Sequence, residues 1–248
     1  MLDVHQPHHF AHTWKDFWIH LGTITAGLLI ALALEAGVEA LHHLHQRHEL
    51  ERELREETTR NLQYSRDEMQ YFGDRITIVA RRLVLAQATL SGRSALSAGV
   101  PLLPPAKNYP RHQRPDTAVW DNASRNGTTA LLPEVLAQVY TDTYHNAEIA
   151  ALNSDEIGKN AQDIAAFRRS IPGQTPSAGE LDPKQLSPAQ LEQYLDLERK
   201  EYSLTRSAYA RWRSLGYSMD CILSEPASIA GQGECTRKKR AEDGPVPF

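Results

Sequence analysis

The chain has few of the residues that many function classes require. It contains two cysteines in 248 residues, too few for a zinc ribbon or a disulfide-rich scaffold. Aromatic residues make up 7% of the chain, and they do not form the clusters that stack on RNA bases. A net charge of -4 gives no bulk attraction to nucleic acid. These shortages argue against a nucleic-acid partner.

Catalytic signatures are also missing. The sequence has no glycine-rich phosphate loop, no nucleophile elbow and no His-Glu-x-x-His motif. We therefore predict a protein that is not an enzyme and has no cofactor. Asp142, His145 and Glu148 share a helix face at a spacing of three and offer an acid–base or metal trio. A solvated helix face gives this pattern far more often.

The longest apolar run covers residues 17–41. Its first 18 residues contain no Asp, Glu, Lys or Arg, and a membrane-spanning helix needs about 20 apolar residues. Trp14 and Trp18 suit an aromatic belt at the membrane surface. We predict a single transmembrane helix. The alternatives are a signal peptide cleaved near residues 31–33 and a buried core helix.

Small residues recur on one face of this run. Thr23, Gly27 and Ala31 are spaced four apart and lead to Glu35, a pattern that lets two helices approach closely in lipid. It predicts a homo-oligomer, although small residues are common in any membrane helix. The predicted partners are therefore the lipid bilayer, further copies of the chain and an unidentified protein.

The helix that contains this run is predicted to continue to Leu90. No Gly-Pro breaker interrupts it, and apolar or small residues recur along one face from Leu50, at alternating steps of three and four from Leu62 onward. The pattern is imperfect at Thr58 and Ser65, and Gly73 weakens the helix by about 1 kcal/mol relative to alanine.

Two further long helices and one short helix are predicted after a proline-rich loop. The short helix covers residues 116–126 and ends at Gly127. The second long helix covers residues 133–170. The third starts at a capping box of Ser187 and Gln190 and ends before Glu225-Pro226.

These patterns predict an all-α fold, in which one N-terminal transmembrane helix continues as a stalk helix and packs with two further long helices as an antiparallel bundle. The predicted organisation is a short tail over 1–16, the transmembrane helix over 17–41, a stalk and bundle domain over 42–227 with a proline-rich loop at 99–115, and a flexible tail over 228–248.

Histidine is unevenly distributed, with nine of the eleven in the first 48 residues. His42, His45 and His48 share a face of the predicted helix and could bind Zn, Cu or Ni or sense pH. The plainer interpretation is that they are amphipathic side chains at the lipid headgroups. We therefore predict no metal site and keep these three as candidates.

The side of the membrane on which the bundle lies is open to two interpretations. Four arginines in residues 42–60 favour the cytosol by the positive-inside rule. A short N-terminal tail followed by one transmembrane helix is the usual arrangement of a signal anchor, which favours an extracytoplasmic position of the body. Cys221 and Cys235 also favour the outside, because there they could form a disulfide. We predict that the protein lies in the bacterial inner membrane, with its helical body on the extracytoplasmic side.

The basic run at 237–240 could touch anionic lipid or nucleic acid, or belong to a solvated tail.

Several short blocks carry a resemblance to a known group of proteins. They are Met1-Leu2-Asp3-Val4-His5, Pro7-His8-His9, His12-Thr13-Trp14-Lys15-Asp16-Phe17, Gly27-Leu28-Leu29-Ile30-Ala31 with Glu35, and, more loosely, Trp120, Leu131-Leu132-Pro133-Glu134 and Tyr140. The chain resembles a family of uncharacterised bacterial single-pass membrane proteins with a His-rich N-terminal block, found notably in soil bacteria. The resemblance implies a membrane anchor and a helical body, and it brings no catalytic residue.

The predicted function is accordingly that of a membrane-anchored helical interaction or scaffold protein. Two alternatives remain. One is a sensory or signalling input module that works with a partner, since the 16-residue tail leaves no output domain. The other is a metal-binding membrane protein that depends on the histidines.

Overall fold

The computed structural model describes residues 14–93, 100, 102, 104, 114–173, 181–224 and 229–244. The described residues form helices and irregular segments, without a β-strand. The described residues contain five α-helices: α1 (Trp14–Leu90), α2 (Ala118–Asn126), α3 (Glu134–Arg169), α4 (Pro188–Ser224) and α5 (Ile229–Glu242). The all-α expectation is confirmed. The predicted tail over 1–16 lies mostly outside the described residues, as does most of the loop over 99–115.

The chain divides into two compact units, Met1–Glu49 and Leu50–Phe248. In the first unit, every large apolar side chain of the run over 17–41 is exposed, including Leu29 at 60%. The most apolar 18-residue window has a mean hydropathy of 1.9 and no buried residue. By length and composition, this is one helix that could cross a membrane.

In the second unit, α1 packs against α3 and α4. The direction of each helix follows from three successive layers of core contacts. Leu54 packs with Val139 and Ile222, Phe72 with Ile157 and Ala208, and Ala86 with Phe167 and Leu191. Residue numbers therefore rise along α1 and α3 and fall along α4, so that α4 is antiparallel to the other two.

α1 and α3 run in the same direction because the chain enters α2 and α3 near the end of the bundle at which the packed part of α1 begins. After Leu90, at one end, the chain reaches Asp116 beside Asn61, near the other end. α2 follows there, and Gly127 ends it with φ +79°, a left-handed conformation that glycine adopts without strain. The predicted glycine stop is confirmed.

Local sequence signals also placed the start of α4 correctly. The Ser187 N–H donates to Oε1 of Gln190 at 3.0 Å, and the Gln190 N–H donates to Oγ of Ser187 at 3.3 Å. This reciprocal pair satisfies two backbone donors at the helix start. The capping box and the end of α4 before residue 225 are both confirmed.

The two polar positions in the α1 pattern are buried. Ser65 is fully buried and donates to the Trp212 carbonyl oxygen at 2.6 Å. Thr58 is 2% exposed and donates to the Leu54 carbonyl oxygen at 2.7 Å. Because each hydroxyl has an acceptor, a small polar residue fits the core without an unsatisfied donor.

The predicted flexible tail over 228–248 is wrong for residues 229–242, which form α5. Polar composition gave no sign of this helix, and contacts with α4 hold it. Lys239 pairs with Asp220, and the Tyr217 hydroxyl donates to Asp243 at 2.6 Å. A disulfide adds a covalent link between Cys221 and Cys235.

Candidate functional site

An open cleft of about 470 Å³ lies beside α2 and α3, and we call it the α2–α3 cleft. Its polar lining consists of Arg114, Thr117, Asp121, Thr141, His145 and Glu148. Its apolar and aromatic lining consists of Pro115, Trp120, Tyr144, Ala147, Ala151 and Leu152. Aromatic surface combined with a few polar groups of both signs is the usual composition of a small-molecule or peptide site.

Stacked aromatic rings form one wall of the cleft. The rings of Trp120 and Tyr144 are parallel within 3°, with centroids 5.4 Å apart. Tyr140 extends the stack, 6.1 Å from Trp120. The stack fixes the short helix α2 on α3, as expected from the large apolar area of a tryptophan.

A buried carboxylate lies against this wall. Glu57 of α1 is fully buried. It accepts hydrogen bonds from the Tyr144 hydroxyl, from the Val119 N–H at 2.8 Å and from the Trp120 N–H at 3.4 Å. These two N–H groups lie in the first turn of α2, whose N-cap residue Thr117 makes no side-chain capping hydrogen bond. Glu57 therefore supplies from α1 the acceptor that a helix N-terminus requires.

Burial and hydrogen bonding act in opposite directions on Glu57. Burial raises the pKa of Glu57 above its ordinary value, and the hydrogen bonds from Tyr144 and Val119 oppose that rise. Burial, followed by the hydrogen bond to Glu57, raises the pKa of Tyr144. The phenol thus remains a hydrogen-bond donor throughout the neutral pH range.

The chain segment before α2 is held by two other residues of α1. Asn61 donates to the Asp116 carbonyl oxygen at 2.6 Å and accepts from the Asp116 N–H at 2.8 Å. Arg60 pairs with the Asp116 carboxylate at 3.0 Å. The hydrogen bond from the Ala118 N–H lowers the pKa of Asp116, and Arg60 lowers it further. Through these contacts α1 positions one wall of the cleft.

The structure separates the predicted trio on α3. His145 and Glu148 line the α2–α3 cleft, whereas Asp142 lines a second cavity and accepts a hydrogen bond from Gln138 at 2.9 Å. All three side chains are exposed. They do not converge on one point, so the arrangement does not support the acid–base trio.

The histidine candidates and the predicted helix seam lie in the first unit. His42, His45 and His48 are exposed. Among the described residues, no group of three His, Cys, Asp or Glu side chains is placed to hold a metal ion. The residues of the predicted helix seam, Thr23, Gly27, Ala31 and Glu35, are likewise all exposed.

Cys221 and Cys235 form a disulfide, with their Cα atoms 6.0 Å apart. Cys221 is fully buried in α4 and Cys235 lies in α5. The pairing that the sequence left open is present in the structure, and it joins α5 to the bundle.

The sequence patterns did not predict a buried polar layer between α1, α3 and α4. Glu198 and Glu201 of α4 are both fully buried. Arg75 pairs with Glu201, Arg82 lies 3.7 Å from Glu198, and Asn160 donates to Glu201 at 2.6 Å. A signal was available at Glu198, which occupies a core position in the heptad pattern of α4.

Comparisons with known proteins give no family. Neither the protein-family models, nor the curated proteins, nor the solved structures contain a match to this chain.

Proposed function

We propose that this chain is a single-pass protein of the bacterial inner membrane whose helical domain acts as a non-catalytic interaction module. The observation that carries the proposal is the fully exposed apolar segment of α1. In water, an apolar surface of this size would drive association, whereas lipid covers it at no such cost. Trp14, Phe17 and Trp18 form a ring cluster at its start, where an aromatic belt belongs.

The disulfide supports an extracytoplasmic position for the helical domain. Disulfides persist in the bacterial periplasm and are reduced in the cytosol. In this proposal the bond between Cys221 and Cys235 outweighs the arginines that follow the apolar segment.

The α2–α3 cleft is the surface through which we propose that the domain binds. It is open, and its aromatic wall is fixed by α1 through Glu57 and Asn61. A preformed wall reduces the conformational entropy lost on binding. A protein segment or a small solute that presents apolar surface with flanking charge fits this lining.

Membrane insertion and topology test the proposal directly. We expect the full chain to stay with membranes after alkaline carbonate extraction, and a periplasm-only reporter fused after Phe248 to be active. Leu29→Arg places a charge near the centre of the apolar segment, which costs roughly 2.5–3.5 kcal/mol on insertion scales. It should release the protein from the membrane, whereas Gln63→Arg, at an exposed position of the second unit, should not. Extraction of the unaltered chain by carbonate would refute membrane anchoring, and an inactive reporter would refute the orientation.

A sensory input module is the second candidate. It is favoured by the contacts of Glu57 and Asn61 with the cleft wall, because both residues belong to the helix that also contains the apolar segment. A ligand in the α2–α3 cleft would act on α1 through them. Crosslinking through Ala31→Cys tests both self-association and signalling: a change in dimer yield when Trp120→Ala is added would favour sensing. Complete absence of dimers in membranes would count against self-association.

A further inference from the structure

A second cavity, of about 300 Å³, lies among α3, α4 and α5. We propose that this cavity, the α5 cleft, binds a phosphate group through Arg237 and Arg240. The proposal concerns a site separate from the α2–α3 cleft and does not depend on the interaction proposed there.

The two arginines supply the charge for such a site. Arg237 and Arg240 lie one turn apart on α5, and both are exposed and line the α5 cleft. Within the described part of the chain, neither forms an ion pair with a carboxylate within 4.0 Å. Guanidinium groups are the preferred side-chain partners of phosphate, because their forked N–H groups match pairs of phosphate oxygens.

Residues with neutral hydroxyl groups on the other two helices line the same cavity. The residues that carry them are Thr143 on α3 and Ser218 on α4. Thr236 on α5 also lines the cavity, but its hydroxyl donates to the Gln232 carbonyl oxygen at 2.8 Å, so the donors from α5 are the two arginines. A tetrahedral phosphate accepts hydrogen bonds from several directions, whereas a carboxylate accepts them mainly in its plane. Donors on three helices around one cavity therefore favour phosphate over carboxylate.

The nearby carboxylates leave the arginines available. Asp220 is taken by Lys239, and Asp243 accepts from the Tyr217 hydroxyl at 2.6 Å. Of the described acidic residues, Asp142 alone lines the α5 cleft, and one of its oxygens accepts a hydrogen bond from Gln138. Its negative charge opposes an anion, so the affinity should rise when that charge is removed.

The disulfide makes the site dependent on oxidation. Cys235 immediately precedes Thr236 and joins α5 to Cys221 of α4. Because the α5 cleft needs α5 in place, reduction of this bond should weaken phosphate binding even when the rest of the domain stays folded.

Binding is tested on the full detergent-solubilised chain in its oxidised form. Calorimetric titration with inorganic phosphate and, separately, with dihexanoyl phosphatidic acid distinguishes free phosphate from a lipid headgroup. Binding of either supports the proposal, and binding of neither overturns it. Succinate is the carboxylate comparator, and an affinity equal to that for phosphate would also overturn the phosphate assignment.

Variants localise the binding. Arg237→Gln and Arg240→Gln should each weaken it about tenfold or more, since each removes hydrogen bonds to a charged group. Lys238→Gln is the matched control, because Lys238 is exposed on the same helix and does not line the cleft. Asp142→Asn should raise the affinity for phosphate, and reduction of the disulfide should lower it.

Equal losses of affinity in Lys238→Gln and Arg237→Gln would indicate non-specific attraction and would overturn the proposed site. An unchanged affinity in Asp142→Asn would also overturn it. Circular dichroism spectra should match across all the variants.

Discussion

Ser65 of α1 packs directly against Gly216 of α4. A Cβ atom added to Gly216 would lie 2.8 Å from the Ser65 hydroxyl oxygen. That hydroxyl is fixed, because it donates to the Trp212 carbonyl oxygen one turn earlier in α4. Glycine at 216 is therefore required by packing rather than by backbone conformation.

Two alanine substitutions should have opposite effects. Gly216→Ala should destabilise the domain by about 1–3 kcal/mol, because overpacking forces the helices apart or breaks the Ser65 hydrogen bond. Gly73→Ala should stabilise it by up to about 1 kcal/mol through helix propensity, since the new Cβ meets the Tyr209 ring at an ordinary 3.5 Å. Thermal unfolding in detergent measures both.

A double variant tests whether steric overlap causes the loss of stability in Gly216→Ala. Adding Ser65→Ala to Gly216→Ala removes the oxygen that the new methyl group would strike, and it should restore part of the lost stability. If the double variant were less stable than the sum of the two single changes, the steric explanation would be wrong.

The hydroxyl of Tyr144 should contribute more to the free energy of unfolding than the hydroxyl of a tyrosine distant from Glu57. Tyr144→Phe removes the only side-chain donor among the three hydrogen bonds to Glu57. We expect a loss of about 1–3 kcal/mol, as for a buried charged group that loses a donor. Tyr64→Phe on α1 is the control, since Tyr64 is not among the described hydrogen-bond donors to Glu57, and it should change the unfolding midpoint little. Equal effects would show that the hydroxyl of Tyr144 has no special role.

Glu198 should make stability fall as the pH rises. Burial raises the pKa of Glu198 above its ordinary value of 4.5, and Arg82 opposes this. A carboxyl group with a raised folded-state pKa retains its proton where the unfolded chain has lost it, so its contribution is complete below pH 4.5 and is lost as the pH rises through the raised pKa.

Glu198→Gln should make this decline shallower, because glutamine does not titrate. Some pH dependence will remain, since the pKa of Glu57 is raised as well. The exposed Glu148→Gln is the control and should leave the profile as it is. Unfolding midpoints at pH values from 4 to 8 measure the effect, and identical slopes for Glu198→Gln and the unaltered chain would contradict it.

Reduction of the disulfide should release α5 before the rest of the domain unfolds. No described side chain of α5 is buried, and a loop of this length gains about 3 kcal/mol from the crosslink in a chain-entropy treatment. Trypsin should cleave the 237–240 segment rapidly in Cys235→Ser and slowly in the oxidised chain. The Trp212 environment, in the central core, should give the same fluorescence in both. Equal cleavage rates would show that noncovalent contacts suffice to hold α5.

The long helices could be predicted because their signals are local. The capping box at Ser187, the stop at Gly127 and the heptad steps of α1 and α4 each depend on residues within one or two turns. The polar positions in those patterns carried less information, because Ser65 and Glu198 acquire their partners from helices distant in sequence. The Glu57 contacts are of the same kind, with Tyr144 lying 87 residues away.

By itself, then, the sequence determined where the main helices begin and end, the all-α class and the presence of one segment apolar enough for a bilayer. These follow from hydrophobic periodicity and capping chemistry, which act over a few residues. Only the tertiary structure decided the directions of the helices, the helical state of α5, the separation of Asp142 from His145 and the two clefts. Each of these depends on pairs such as Cys221–Cys235 or Asn61–Asp116, whose members meet only once the helices have packed.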